Sequence, residues 1–125
     1  MNQAEQALIA VRTAIGAGVW VAPRIAGRLF GLDPKGNPQL PYVGRLFGVR
    51  DLALAYGVAT STGPQRSLWL RVGLACDLAD AAAGVLGGRS GDLPKLATVL
   101  VTGTAVGAAG LGVAAMLGDQ PAPTA

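Results

Sequence analysis

The chain has no histidine and one cysteine among its 125 residues. Without histidine there is no Ser-His or Cys-His nucleophile pair, and no histidine-ligated haem or zinc. The lone cysteine, Cys76, excludes an internal disulfide. It stands beside Asp77 in an apolar run, where a small packing role is expected of it. Charge is also scarce. Charged residues make up 14% of the chain, against about 25% in a typical soluble domain. Aromatic residues make up 5%. The net charge is +3 and the pI about 9.6, yet the ten cations are scattered, several of them inside apolar segments. A nucleic-acid binder needs a basic stripe with aromatic platforms, so nucleic acid is not an expected partner. The phosphate-cradling G-x-x-x-x-G-K-[ST] loop, the H-E-x-x-H metal pair and paired cysteines are all missing. No enzyme activity, cofactor or metal is expected.

The remaining composition is apolar and rich in small residues. Hydrophobic residues reach 51%, with 19 glycines and a mean hydropathy of +0.46. That balance points to lipid as solvent and to closely packed helices. Four apolar segments, residues 5–22, 42–60, 67–88 and 93–117, are read as membrane spans. The first is about the minimum length for crossing hydrocarbon roughly 30 Å thick. Trp20 and Trp69 suit the interface. Between the first two spans, Ile25, Leu29 and Leu32 fall on one side and Arg24 and Arg28 on another, as in a short interfacial helix. Residues 33–38 are turn-rich, and short loops at 61–66 and 89–92 make the later spans antiparallel neighbours. The expected architecture is all-α: an integral membrane four-helix bundle with a short interfacial helix after the first span. It forms one domain over residues 1–118, followed by a disordered tail at 119–125. No basic stretch precedes the first apolar run, so a cleaved signal is not expected. Loop cations Arg24, Arg28, Lys35, Arg89 and Lys95 favour a cytoplasmic side for the first and third loops. Both termini then face outward, in a bacterial cytoplasmic (inner) membrane. The run Gly27-Arg28-Leu29-Phe30-Gly31 recurs at Gly44-Arg45-Leu46-Phe47-Gly48. The copies sit at different places relative to the spans and read as two Arg-aromatic anchors or chance.

The second span poses the central problem. It carries Arg45, Arg50 and Asp51, and the third answers with Arg71, Asp77 and Asp80. Such charges need partners. Steps of three and four place Gly44, Gly48, Asp51 and Ala55 on one helix face, and Gly73, Asp77, Asp80 and Gly84 on another. A hairpin centred on Pro64 pairs residues whose numbers sum to about 128. Gly44 then meets Gly84, Gly48 meets Asp80, Asp51 meets Asp77, and Ala55 meets Gly73. Two carboxylates at one level require a cation. Arg12, Arg45 and Arg50 against Asp51, Asp77 and Asp80 give a closed network of three against three, with Arg71 reaching toward the interface. The network either fixes helix register or forms a site: a proton or ion relay, or a pocket for an anionic head group. On the fourth span Gly103 and Gly107 form a GxxxG pair within longer small-residue rows, a surface for packing in the bundle or against a partner.

Gly48-Val49-Arg50-Asp51-Leu52-Ala53-Leu54-Ala55 resembles small bacterial and fungal membrane proteins of unknown function. Their second helix carries Gly-x-Arg-Asp-x-x-Leu-Gly and their third an aspartate. The resemblance covers about half of the chain. Ala55 stands where the pattern has glycine, and either Asp77 or Asp80 matches the third-helix aspartate. It implies a four-helix membrane bundle and brings no activity. The expected function is therefore an accessory or scaffold subunit, packed among membrane lipids within a larger membrane complex or a homo-oligomer. The alternative is a small transporter or proton- or ion-conducting protein using the buried Arg/Asp cluster.

Overall fold

The computed structural model describes residues 1–118, which form five α-helices. The tail expected at 119–125 lies outside the described residues. Helix α1 spans Gln3–Val21 and begins with a capping box. Asn2 Oδ1 accepts the Glu5 N–H at 2.8 Å, and the Asn2 N–H donates to Glu5 Oε2 at 3.3 Å. This reciprocal pair satisfies two amides at the helix start. Pro23 cannot continue α1 but suits the first turn of a new helix, so α2 runs Pro23–Leu29. Gly31 closes α2 in the left-handed region, at φ +81°. The Leu32 N–H donates to the Gly27 carbonyl and the Gly31 N–H to the Arg28 carbonyl, the pairing of a Schellman stop. A side chain at residue 31 would also strike the Ala97 backbone. Asp33 then organises the turn, accepting the Lys35 N–H at 3.1 Å and, on its carbonyl, the Asn37 amide at 2.7 Å.

Helix α3 covers Leu40–Thr60, α4 Gly63–Ser90 and α5 Lys95–Gly118. Pro64 lies in the first turn of α4, where its missing N–H is harmless. The expected loop at 61–66 thus shortens to two residues. Gly91, at φ +80°, ends α4 in the same left-handed way as α2.

The expectation of a four-span membrane bundle is corrected. The chain is all-α, but α5 alone among the described helices is long and apolar enough to cross a membrane. Glu5 and Arg12 interrupt α1, Arg45, Arg50 and Asp51 interrupt α3, and α4 carries Arg66, Arg71, Asp77, Asp80 and Arg89. Each charge lowers the hydropathy of its helix below that of a span.

The expected pairing of the second and third apolar segments also differs from the structure. The closest helix pairs are α1 with α3 and α4 with α5; α3 and α4 touch more sparingly. Glycine explains the first pair. A Cβ on Gly16 would come within 2.7 Å of the Gly48 carbonyl, and one on Gly48 within 2.8 Å of the Gly16 carbonyl. Backbone meets backbone at this crossing, which only glycine on both sides permits. At one end the two pairs converge on Leu8, Val58, Leu70 and Ala115, with Trp69 and Leu111 packed around them. Trp69 lies directly on Gly57. At the other end, under α2 and the 32–40 turn, the pairs separate and leave a cleft.

Candidate functional site: a charged layer beneath an apolar cleft

Three helices supply a charged layer between the packed end and the cleft. Arg12 of α1 points inward, 4% exposed, and grips Asp77 of α4 with both arms. Its Nη1 donates to Oδ1 at 3.1 Å and its Nη2 to Oδ2 at 2.7 Å. Such a two-pronged pair fixes the guanidinium in one orientation. Asp51 of α3 stands on the other side of Arg12, with Oδ1 3.5 Å from Nη1. Arg50 is Asp51's neighbour and so points about 100° round the helix. It grips Asp80, Nη1 to Oδ1 at 3.1 Å and Nη2 to Oδ2. Its guanidinium also lies 4.7 Å from the centre of the Phe47 ring, a cation–π contact.

This layer holds two guanidiniums and three carboxylates, not three of each. Arg45 is five residues from Arg50, and about 140° away round α3. It turns outward, donating from Nε to the Trp20 carbonyl at 2.9 Å and resting 5.3 Å from the Trp20 ring centre. Taken with all side chains ionised, the layer carries one excess negative charge. Asp51 is the odd carboxylate. It is 4% exposed, and among the described residues no hydrogen bond to it is formed; Arg12, its nearest cation, is committed to Asp77. Burial pushes the Asp51 carboxyl up to about 6, over the lowering pull of Arg12 and Arg50. At Arg50 the lowering effect of burial is outweighed by the hydrogen bond and charge of Asp80, with Asp51 adding to them, so its pKa is raised.

The expected packing glycines fall into two groups. Gly44 packs on Val19 and Pro23, Gly48 on Gly16, Gly73 on the Arg12 guanidinium and Gly84 on Thr102 and Val101. Each faces the bundle interior, but Gly44 and Gly48 face α1 and Gly84 faces α5, so the Gly44/Gly84 and Gly48/Asp80 pairings are replaced. Gly73 serves the site directly: a Cβ there would sit 2.9 Å from Arg12 Nη2. Gly103 and Gly107 face outward, and a side chain on either, or on Gly110, would meet no described atom within 4 Å.

Above the layer the cleft encloses about 760 Å³, with Ile15, Val19, Phe30, Val43 and Phe47 among its apolar walls. Arg12, Asp51, Asp77 and Asp80 form its polar floor. That volume is in the range of about 300–1,000 Å³ typical of small-molecule sites. Among the described residues no group of three acidic or sulfur side chains is placed to hold a metal ion. A further ion pair, outside the layer, escaped the sequence reading. Glu5, fully buried, lies 3.7 Å from Arg66 at the packed end, and Arg66 also donates to the Ser61 carbonyl. The capping-box spacing Asn2-x-x-Glu5 was the available signal for Glu5.

No family model, curated protein or solved structure matches this chain.

The surface is as distinctive as the interior. Buried apolar residues larger than alanine are Leu8, Val19, Leu54, Val58 and Leu70. Many more large apolar side chains lie outside, Val21, Leu29, Tyr56, Leu86 and Val99 among the most exposed. On α5 the exposed residues Leu96, Val99, Gly103, Val106, Gly110, Val113 and Leu117 follow steps of three and four throughout. Steps of three and four place these residues along one stripe of the helix, the side turned away from the bundle, with Gly107 and Ala114 exposed beside it.

Proposed function

We propose that this protein is a small accessory or scaffold subunit of a membrane assembly in a cytoplasmic (inner) membrane. In this reading α5 is its membrane anchor and its docking helix. The carrying observation is the α5 seam, in which valine and leucine ridges alternate with uncovered glycines. Glycine hollows accept ridges from a neighbouring helix and let the backbones approach. The apolar exterior supports the same reading, because exposed apolar patches of this extent mark association surfaces. The alternative, proton or ion conduction, draws on the buried charges. It has less support, because Leu8, Val58 and Leu70 pack one to two turns beyond Arg12, Asp51 and Asp77, on the side away from the cleft.

The test is the double variant Gly103→Leu with Gly110→Leu. Both side chains enter open space in the single chain, so its fold should be retained. Native membrane is extracted in mild detergent, and co-purifying chains and particle size are measured. The expected result is an assembly in the wild type that is lost in the variant, with helical content and unfolding midpoint unchanged. A wild type that runs as a single chain without crosslinkable neighbours, or a variant that keeps its assembly, would overturn the proposal.

A further inference from the structure

The charge balance of the layer bears on what the cleft accepts. An anionic head group was one expectation of the sequence, and the geometry reverses its sign. Both guanidiniums are taken: Arg12 by Asp77 at 2.7 and 3.1 Å, and Arg50 by Asp80. An anion entering the cleft would find three carboxylates and both guanidiniums ion-paired; Arg50 Nε, a buried donor without a partner among the described residues, belongs to a residue that does not line the cleft. A cation would find Asp51, which is buried, lines the cleft, and receives no hydrogen bond from any described residue.

We propose that the cleft is a binding site for a protonated organic amine with an apolar body, its ammonium seated on Asp51. Three independent observations converge on this occupant. The layer beneath the cleft has one more carboxylate than guanidinium. Asp51 is more than nine-tenths buried, and its nearest cation, 3.5 Å away, is held by another acid. The walls above it are apolar and aromatic and enclose a drug-sized volume. An N–H donor is favoured over a quaternary ammonium, because Asp51 lacks hydrogen bonds as well as charge compensation, and only an N–H group supplies both. The apolar body would lie along Val19, Val43 and Phe30, toward α2. The inference does not depend on the α5 seam, and either can fail without the other.

Three matched probes test it: 4-phenylbutylamine, 4-phenylbutanol and 4-phenylbutyltrimethylammonium. Each is titrated by calorimetry or saturation-transfer NMR against the full chain in non-ionic detergent. The variant Asp51→Asn in the same micelles cancels partition into detergent. The primary amine should bind at least about tenfold more tightly than the alcohol, the margin expected of a charge-assisted hydrogen bond, and more tightly than the quaternary ammonium. In Asp51→Asn the margin over the alcohol should collapse to within about twofold. A second variant, Ala26→Trp, fills the α2 side of the cleft and leaves the charges in place; it should weaken all three probes. Equal binding of amine and alcohol by the wild type would overturn the proposal. So would an amine preference that survives Asp51→Asn, or binding indifferent to Ala26→Trp. Should Asp51→Asn fail to fold, the wild-type selectivity and Ala26→Trp decide the question alone.

Discussion

Removing Arg12 should be the most damaging single change to the charged layer. Arg12→Met keeps the stem but deletes the one guanidinium, among the described residues, that pairs with both Asp51 and Asp77. Two carboxylates, 4% and 3% exposed, then lose their shared cation. Breaking a buried pair in this way costs about 3–5 kcal/mol. For a chain of this length each kcal/mol shifts the unfolding midpoint by about 4 °C, so a fall of about 12–20 °C is expected. Asp77→Asn should cost less, about 1–3 kcal/mol, because Asp51 remains beside Arg12 to balance it. Asp51→Asn should raise stability at pH 7, because it removes the unmatched charge. The triple variant Arg12→Met, Asp51→Asn, Asp77→Asn should recover most of the loss, since a neutral buried layer no longer holds stranded ions. Thermal unfolding in mild detergent reads all four, by circular dichroism and by the fluorescence of Trp69 at the packed end. An Arg12→Met protein within about 0.5 kcal/mol of wild type would refute the assignment of Arg12 as the pivot; a typical surface change has that small an effect. Equal losses for Asp51→Asn and Asp77→Asn would refute the claim that Asp77 is the committed partner.

Further changes discriminate the rest of the account. The Asp51 carboxyl is raised to about 6 from about 4 in the unfolded chain, so the folded state binds the extra proton between those values. Its contribution to stability is therefore present below about pH 4 and is lost as pH rises to about 6. Asp51→Asn should accordingly exceed the wild type in stability at pH 7, by on the order of 2–3 kcal/mol at most, and the gap should close toward pH 4; a gap independent of pH would count against it. Gly16→Val drives a side chain into the Gly48 carbonyl and the Leu52 side chain, and should destabilise by about 1–3 kcal/mol or more, read as a lower denaturant midpoint. Arg45→Gln, outside the layer, should change stability by no more than about 1 kcal/mol, because its partners are a carbonyl and an exposed ring; a collapse comparable to Arg12→Met would return Arg45 to the network.

The charged residues were legible in the sequence because an arginine or aspartate inside an apolar helix demands a partner. Arg12, Arg50, Asp51, Asp77 and Asp80 are brought together, and Arg12 lies within reach of both Asp51 and Asp77. The helix pairing was less legible. A short loop between two apolar segments suggested a tight hairpin with glycines facing each other across it. The closer contact instead joins α1 to α3, because Gly16 and Gly48 offer the flattest surfaces at the same depth, and a single-helix pattern does not say which small face meets which. Arg45 shows the same limit at the scale of one side chain. It has the same residue type and apolar setting as Arg50, yet five positions turn it to the outside. The membrane reading took its strength from composition summed over the chain. Measured helix by helix, the charges that build the layer remove α1, α3 and α4 from the candidate spans and leave α5.

The most direct test of the account is the titration of Asp51 itself. Carboxyl carbons are labelled in aspartate, and the spectrum of Asp51→Asn is subtracted from that of the wild type to assign the signal. One buried carboxyl, absent from the variant, should take up its proton near pH 6, as the excess acid of a layer with two guanidiniums and three carboxylates. A signal for Asp51 that stays ionised below pH 4 would show a carboxylate fully matched by a cation, and would contradict the account.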